Sequence, residues 1–242
     1  MDIRRMLIGR GFWLGTLLAV LVMGLGAAVP EWKADTPWEA GTFLKVAASS
    51  FSSKTFLFCL PVLAVLPYGD GYLRDRERGF IRLLMVRRNR SAYAADKVLA
   101  VTAGSLLQWM LAGLSAGLLS FLLFFPGEVP GKIPVFQVKE FFCSLARTGL
   151  ISAVWANLSG IIGALTHSFY MAYGLPFVVY YGLIILQERY WTGSGSWNPS
   201  RWILAEGDWG RGELGLFLFL LLFLAVTAVL HWISIEQQLK EL

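Results

Sequence analysis

Asp70-Gly-Tyr-Leu-Arg-Asp-Arg-Glu-Arg-Gly-Phe-Ile-Arg-Leu-Leu-Met-Val-Arg-Arg-Asn-Arg90 decides the fold: a dense, mostly basic segment set between two strongly apolar runs. At roughly 3 kcal/mol per arginine at a bilayer centre, its seven arginines would cost on the order of 20 kcal/mol in lipid. The segment therefore belongs in water or on a protein surface, and it marks the cytoplasmic side of whatever its flanks cross.

The flanks read as membrane. Hydrophobic residues make up 56% of the 242 and charged residues only 15%, with a mean hydropathy of +0.59. An ordinary soluble domain is about 45 to 50% apolar and about 25% charged, so the composition describes a polytopic, all-α membrane protein. The net charge of +5 is concentrated at the edges of apolar runs, without the basic and aromatic interleaving of a nucleic-acid surface, so no nucleic-acid partner is expected. Cys59 and Cys143 have no CxxC or Cys/His spacing and imply neither a metal nor a redox compartment. The opening Met-Asp-Ile-Arg-Arg with its apolar run resembles a signal peptide, with Gly26-Ala-Ala28 as a cleavage site. The run is too long for one, and an uncleaved first helix is the better reading.

A helix needs about 20 apolar residues to cross a bilayer. That rule places six spans at about 11–29, 46–68, 98–125, 141–165, 169–186 and 214–235 in a single transmembrane domain, 1–242. In the second, Lys54 must snorkel or face a wet cavity. Pro126-Gly-Glu-Val-Pro130 stops the third, and only Thr166-His-Ser168 separates the fourth from the fifth, which makes them a tight helical hairpin. An even number of spans puts both termini on one side. Arg4, Arg5, Arg10, the run Arg74 to Lys97, and Lys240 make that side cytoplasmic, in the inner or plasma membrane of the cell.

On a helical wheel over 72–86, Leu73, Phe80 and Leu84 fall together, Ile81 and Leu83 flank them, and Asp75, Arg78 and Arg82 lie opposite. This is an amphipathic cytoplasmic helix, resting either on the lipid interface or in a groove of a cytosolic partner. Glu77 lies on the apolar side, where an anionic lipid surface would repel it. Ile3, Met6 and Leu7 form a second, shorter apolar side with Arg4 and Arg5 away from it, an interfacial helix ahead of the first span.

The order Glu77, Gly79, Leu83-Leu84, Arg90-Ser91, Tyr93 and Lys97 resembles the loop between the second and third membrane helices of type-2 ATP-binding-cassette (ABC) exporter permeases. The six-span layout and basic lead resemble that family too, although the Pro common after the double leucine is replaced by Met-Val-Arg-Arg. The resemblance implies that 72–86 is a coupling helix touching a cytosolic ATPase subunit through Leu73, Glu77, Phe80, Ile81 and Leu84. It further implies an elbow helix at the N-terminus, a second permease subunit, identical or related, and ATP and Mg held by the partner ATPase. Apart from the resemblance, the few charges within the spans suit an amphipathic or apolar cargo, such as a peptide, drug or lipid-like molecule.

The segment 188–212 carries Trp191, Trp197, Trp202 and Trp209. It reads either as an interfacial aromatic belt or, by the same resemblance, as short re-entrant helices forming an outer gate, for which Trp191, Trp197 and Trp202 are the candidates. Gln108 and Asn157 are candidates for lining a path, against the plainer role of hydrogen bonding between helices. Gly104, Ala112, Gly113, Ala116 and Gly117 suit close helix packing.

No GxxxxGK[ST] loop is present, so the chain lacks the means to hold ATP phosphates itself. With two distant histidines and no HExxH, neither a metal site nor an enzyme is expected. Apart from the exporter subunit, the alternative is a membrane-embedded immunity, scaffold or substrate-binding protein that transports nothing on its own. An ion-driven carrier would hold charges near the midplane.

Overall fold

The computed structural model describes residues 2–28, 37–86, 88–190 and 197–241, without the Arg82 side chain. Val29 and Pro30 at the expected end of the first span, and Trp191 of the expected gate, lie outside the described residues. The chain runs α1 (Asp2–Ile8), α2 (Arg10–Gly26), α3 (Thr42–Ser52), α4 (Lys54–Leu63), α5 (Gly71–Glu77), α6 (Phe80–Met85), α7 (Arg90–Phe124), α8 (Val135–Thr166), α9 (Phe169–Arg189), α10 (Pro199–Leu204) and α11 (Glu213–Lys240). Four helices, α7, α8, α9 and α11, are long and apolar enough to cross a bilayer. Two bent pairs, α1 with α2 at 55° and α3 with α4 at 62°, bring the number to as many as six. The fold is that of a helical multi-pass membrane protein.

The third to sixth expected spans each fall on an unbroken helix, and the α8–α9 hairpin closes through His167 in the left-handed conformation, φ 55°. The second span departs from expectation. Instead of one helix over 46–68, the chain breaks at Ser53, whose hydroxyl accepts from the Phe56 N–H at 3.2 Å to cap α4. Helix α4 then stops at Leu63, and the turn that follows is largely buried. Irregular backbone of this kind is stable away from water only when protein supplies its partners. Gln108 of α7 does so, donating through Nε2 to the Leu63 carbonyl at 3.1 Å.

Helix α8 is the axis of the molecule: 78% of its most apolar stretch is buried within the chain, against 28%, 17% and 22% for α7, α9 and α11. Its sequence explains this. Ser144, Thr148, Ser152, Ala153, Ala156, Ser159, Gly160, Gly163 and Ala164 are all buried, and small residues let neighbouring backbones approach where no hydrophobic effect drives helices together. The glycines expected to serve close packing on α7 do so: Gly104 faces Met6, Gly113 faces Leu145 and Phe51, and Gly117 faces Phe141. The leucines of α7 and α11, such as Leu118, Leu122, Leu218 and Leu222, remain exposed, as a lipid-facing surface requires.

At one end, α1, α5, α6, the start of α7, the α8–α9 turn and the end of α11 converge, so residues 2–8 and 231–240 share a side. Tyr72, Ile81, Tyr93, Ala94, Ala164, Ile235 and Leu239 form one apolar cluster there. At the opposite end, the Glu128 carboxylate accepts from the backbone N–H of Gly41 at 2.8 Å and of Phe43 at 2.7 Å. An anion is thereby set on the N-terminus of α3, where orphan donors and the helix dipole favour it. The segment before α11 folds back onto the bundle through α10, whose Trp202 packs 5.6 Å from both Phe219 and Phe223.

Candidate functional site

The arginine-rich segment forms two short helices, α5 and α6. The expected continuous helix over 72–86 is interrupted at Gly79, φ 69°, a left-handed position that only glycine adopts without strain. The Gly79 N–H closes α5 on the Arg76 carbonyl at 3.0 Å. A single wheel through the segment therefore fails, because the left-handed Gly79 breaks the helical phase between its two halves.

The largest consequence concerns Asp75, expected on the solvent side. It is buried and lies 2.7 Å from Nζ of Lys97. Lys97, 1% exposed, also reaches Asp2 of α1 at 3.3 Å, and donates toward the Tyr68 hydroxyl at 3.2 Å and the Gly71 carbonyl at 3.3 Å. Its ammonium sits over the rings of Tyr68 and Tyr93, 5.1 and 5.4 Å from the centroids, a favourable cation–π arrangement. The Tyr93 hydroxyl donates to Asp75 at 3.1 Å, and Arg5 approaches Asp2 and Asp75 at 3.8 and 3.7 Å. Burying a lysine is tolerable only when charge and hydrogen bonds compensate it. Here two carboxylates face two cations, and four acceptors surround one ammonium.

This cluster ties three separate elements to one point: α1, α5 and the foot of α7. On the other flank of α5, Arg76 reaches the His167 ring, 2.6 Å from Nδ1 and 2.9 Å from Nε2, and Gln238 of α11 at 3.3 Å. Only a neutral imidazole accepts from a guanidinium. Burial first, and the Arg76 charge second, hold His167 below its ordinary pKa. The α5 helix is thus fastened to α1, α7, the α8–α9 turn and α11.

Of the five residues expected to meet a partner, two turn inward. Leu73 lies against Gly163 and Ile81 belongs to the apolar cluster with Tyr93 and Ile235, so both anchor the joint to its own chain. Glu77 and Phe80 face outward and Leu84 is partly covered, joined by Leu83 at 69% and Val86 at 85% exposure. A charged and apolar edge remains on a rigidly held element.

Both candidates for path lining sit between helices. Gln108 donates to the end of α4 through Nε2, while its buried Oε1 has no hydrogen-bond partner among the described residues. Asn157, fully buried, donates to the Thr102 hydroxyl and the Ala153 carbonyl, both at 2.9 Å, and its Oδ1 lies 2.9 Å from Nδ1 of His231. Its donors and acceptor are all engaged in clamping α7, α8 and α11. Trp202 is likewise a core anchor, whereas Trp197 is exposed. Asp2 and His231 are not singled out by the sequence, and Asp75 and Lys97 are named there without their pairing, because the partners of all four are distant in the chain. The one available signal was Lys97 close to a span that otherwise excludes charge.

Among the described residues no group of three or more His, Cys, Asp or Glu side chains is placed to hold a metal ion. Neither a protein-family model nor a curated protein matches this chain.

Proposed function

We propose that the chain is the membrane-spanning permease subunit of an ATP-driven ABC exporter, working with a second permease copy or relative and with separate cytosolic ATPase subunits. The carrying observation is mechanical. The arginine-rich joint holds Glu77, Phe80 and Leu83 outward on α5 and α6, while Lys97 and Asp75 bind that joint to the foot of a 35-residue helix. A subunit without a phosphate-binding loop responds to ATP only through contact, and the contact must favour one conformation over another. A stiff joint rooted in α1 and α7 suits that demand, because displacement of its outer edge moves both helices.

In this reading the basic end faces the cytoplasm, as the positive-inside rule requires. Glu77, Phe80, Leu83 and Leu84 form the contact, and Leu73 and Ile81 pass its motion inward. The cargo class follows from the apolar spans: a peptide, drug or lipid.

Purification from native membranes in mild detergent tests the proposal. The wild-type chain should retain a subunit bearing a GxxxxGK[ST] motif. Glu77→Arg and Phe80→Glu should release it while the chain stays inserted. Recovery of no such ATPase with the wild type, or retention and export unchanged by both substitutions, overturns the reading in favour of an immunity or scaffold protein.

A further inference from the structure

Between α1 and α5 lies a polar cleft of about 300 Å³ lined by Arg5, Tyr68, Gly71, Arg74, Asp75, Arg78 and Phe80. A second hollow shares Arg5 and adds Arg4, Ile8 and Gly9. We propose that this double cleft binds a phosphate ester, the headgroup of an acidic phospholipid at the surface of the bilayer.

The charges around the cleft do not cancel. Lys97 and Arg5 answer Asp75 and Asp2, and Arg74 answers Asp70 at 2.6 Å. Five cations, counting Arg4 and Arg78, face those three carboxylates. Arg4 and Arg78 have no carboxylate within ion-pair distance among the described residues. Arg5 lies 3.7 Å or more from both its carboxylates, beyond hydrogen-bond length, so its planar donors are not consumed by them. Guanidinium groups offer paired N–H donors that match two phosphate oxygens.

The neighbouring surface selects the lipid form of that anion. On α1, Ile3, Leu7 and Ile8 are exposed at 44%, 38% and 71%, and Ile8 borders the same hollow as Arg4 and Arg5. Trp13, also exposed, donates its indole N–H to the Leu7 carbonyl at 2.8 Å, the amphipathic placement that tryptophan takes at headgroup level. An apolar rim beside unanswered arginines fits a molecule with acyl chains and a phosphodiester. A bound headgroup would touch Arg5 and so meet the Lys97 cluster directly. This inference does not depend on an ATPase partner.

The test is lipid retention by the purified full chain, measured by native mass spectrometry and by thermal shift. Phosphatidylglycerol should be retained and should raise the melting temperature, whereas phosphatidylcholine should not. The double variant Arg4→Gln, Arg78→Gln should bind phosphatidylglycerol about a hundredfold more weakly, the effect of losing one charge-assisted hydrogen bond at each arginine. Its melting temperature without lipid should stay unchanged. The pair Arg4→Lys, Arg78→Lys should keep most of the binding, which separates lost charge from lost fold. Arg211→Gln at the opposite end should have no effect. Equal retention of the two lipids, or full binding by the glutamine double variant, overturns the proposal. Inorganic phosphate or glycerol phosphate matching the lipid's thermal shift overturns the lipid assignment and identifies a soluble phosphate as the ligand.

Discussion

Lys97 and Asp75, separated by 22 positions in sequence, meet at 2.7 Å inside the protein, where the lysine is almost entirely excluded from solvent. Their pairing joins α5 to α7, and Asp2 extends the pairing to α1.

Removing the cation alone should be severe. Lys97→Met leaves Asp2 and Asp75 buried with Arg5 as their remaining cation, and breaking such a pair costs about 3–5 kcal/mol. Thermal unfolding in detergent should drop accordingly. The triple variant Lys97→Met, Asp2→Asn, Asp75→Asn should recover most of the loss, since neutral residues of similar shape restore the charge balance. A triple variant no more stable than the single one would contradict the electrostatic account.

Gly160 and His231 make a steric pair. A Cβ at Gly160 would strike the imidazole ring, so Gly160→Ala should destabilise by about 1–3 kcal/mol through overpacking. His231→Ala should partly suppress that defect by opening space, although it forfeits the hydrogen bond to Asn157. Independent, additive losses in the double variant would show that the two sites do not touch.

Glu128 should matter through α3. Glu128→Ala removes the acceptor for two backbone N–H groups, and loss of a helix cap costs about 1–2 kcal/mol. Glu128→Gln, which keeps an acceptor, should cost less. Hydrogen exchange at Gly41 and Phe43 would register the change directly.

Acidification should loosen the joint. The folded state holds His167 below its ordinary value of 6.5, so on lowering the pH the unfolded chain takes up the proton first. Stability from this site is complete above that value and declines as the pH falls through it, levelling off below the folded pKa. The melting temperature of His167→Gln should fall less than that of the wild type between neutral and mildly acidic pH.

Much of the helical layout is legible in the sequence because bilayer crossing is a local property. A run of apolar residues long enough to span, such as Leu214 to Ile235, needs no distant information to become a helix. The hairpin at Thr166-His-Ser168 and the role of small residues on α7 follow in the same way. The breaks at Ser53 and Gly79 were less legible, since either residue is tolerated inside a helix. Ser53 becomes a break because its hydroxyl caps the N-terminus of α4, and Gly79 because its left-handed φ lets its N–H close α5 on the Arg76 carbonyl.

The sequence by itself determined the class of this protein, the places of its long helices and the basic segment that excludes itself from lipid, because transfer energies act residue by residue. Only the tertiary structure decided which charges of that segment turn inward. Whether Asp75 is a solvent-facing carboxylate or half of a buried ion pair depends on where Lys97 and Asp2 arrive. That meeting is set by the packing of α1 and α5 on α7, just as the packing of α8 and α11 on α7 makes Asn157 a clamp between helices and that of α4 on α7 engages Gln108.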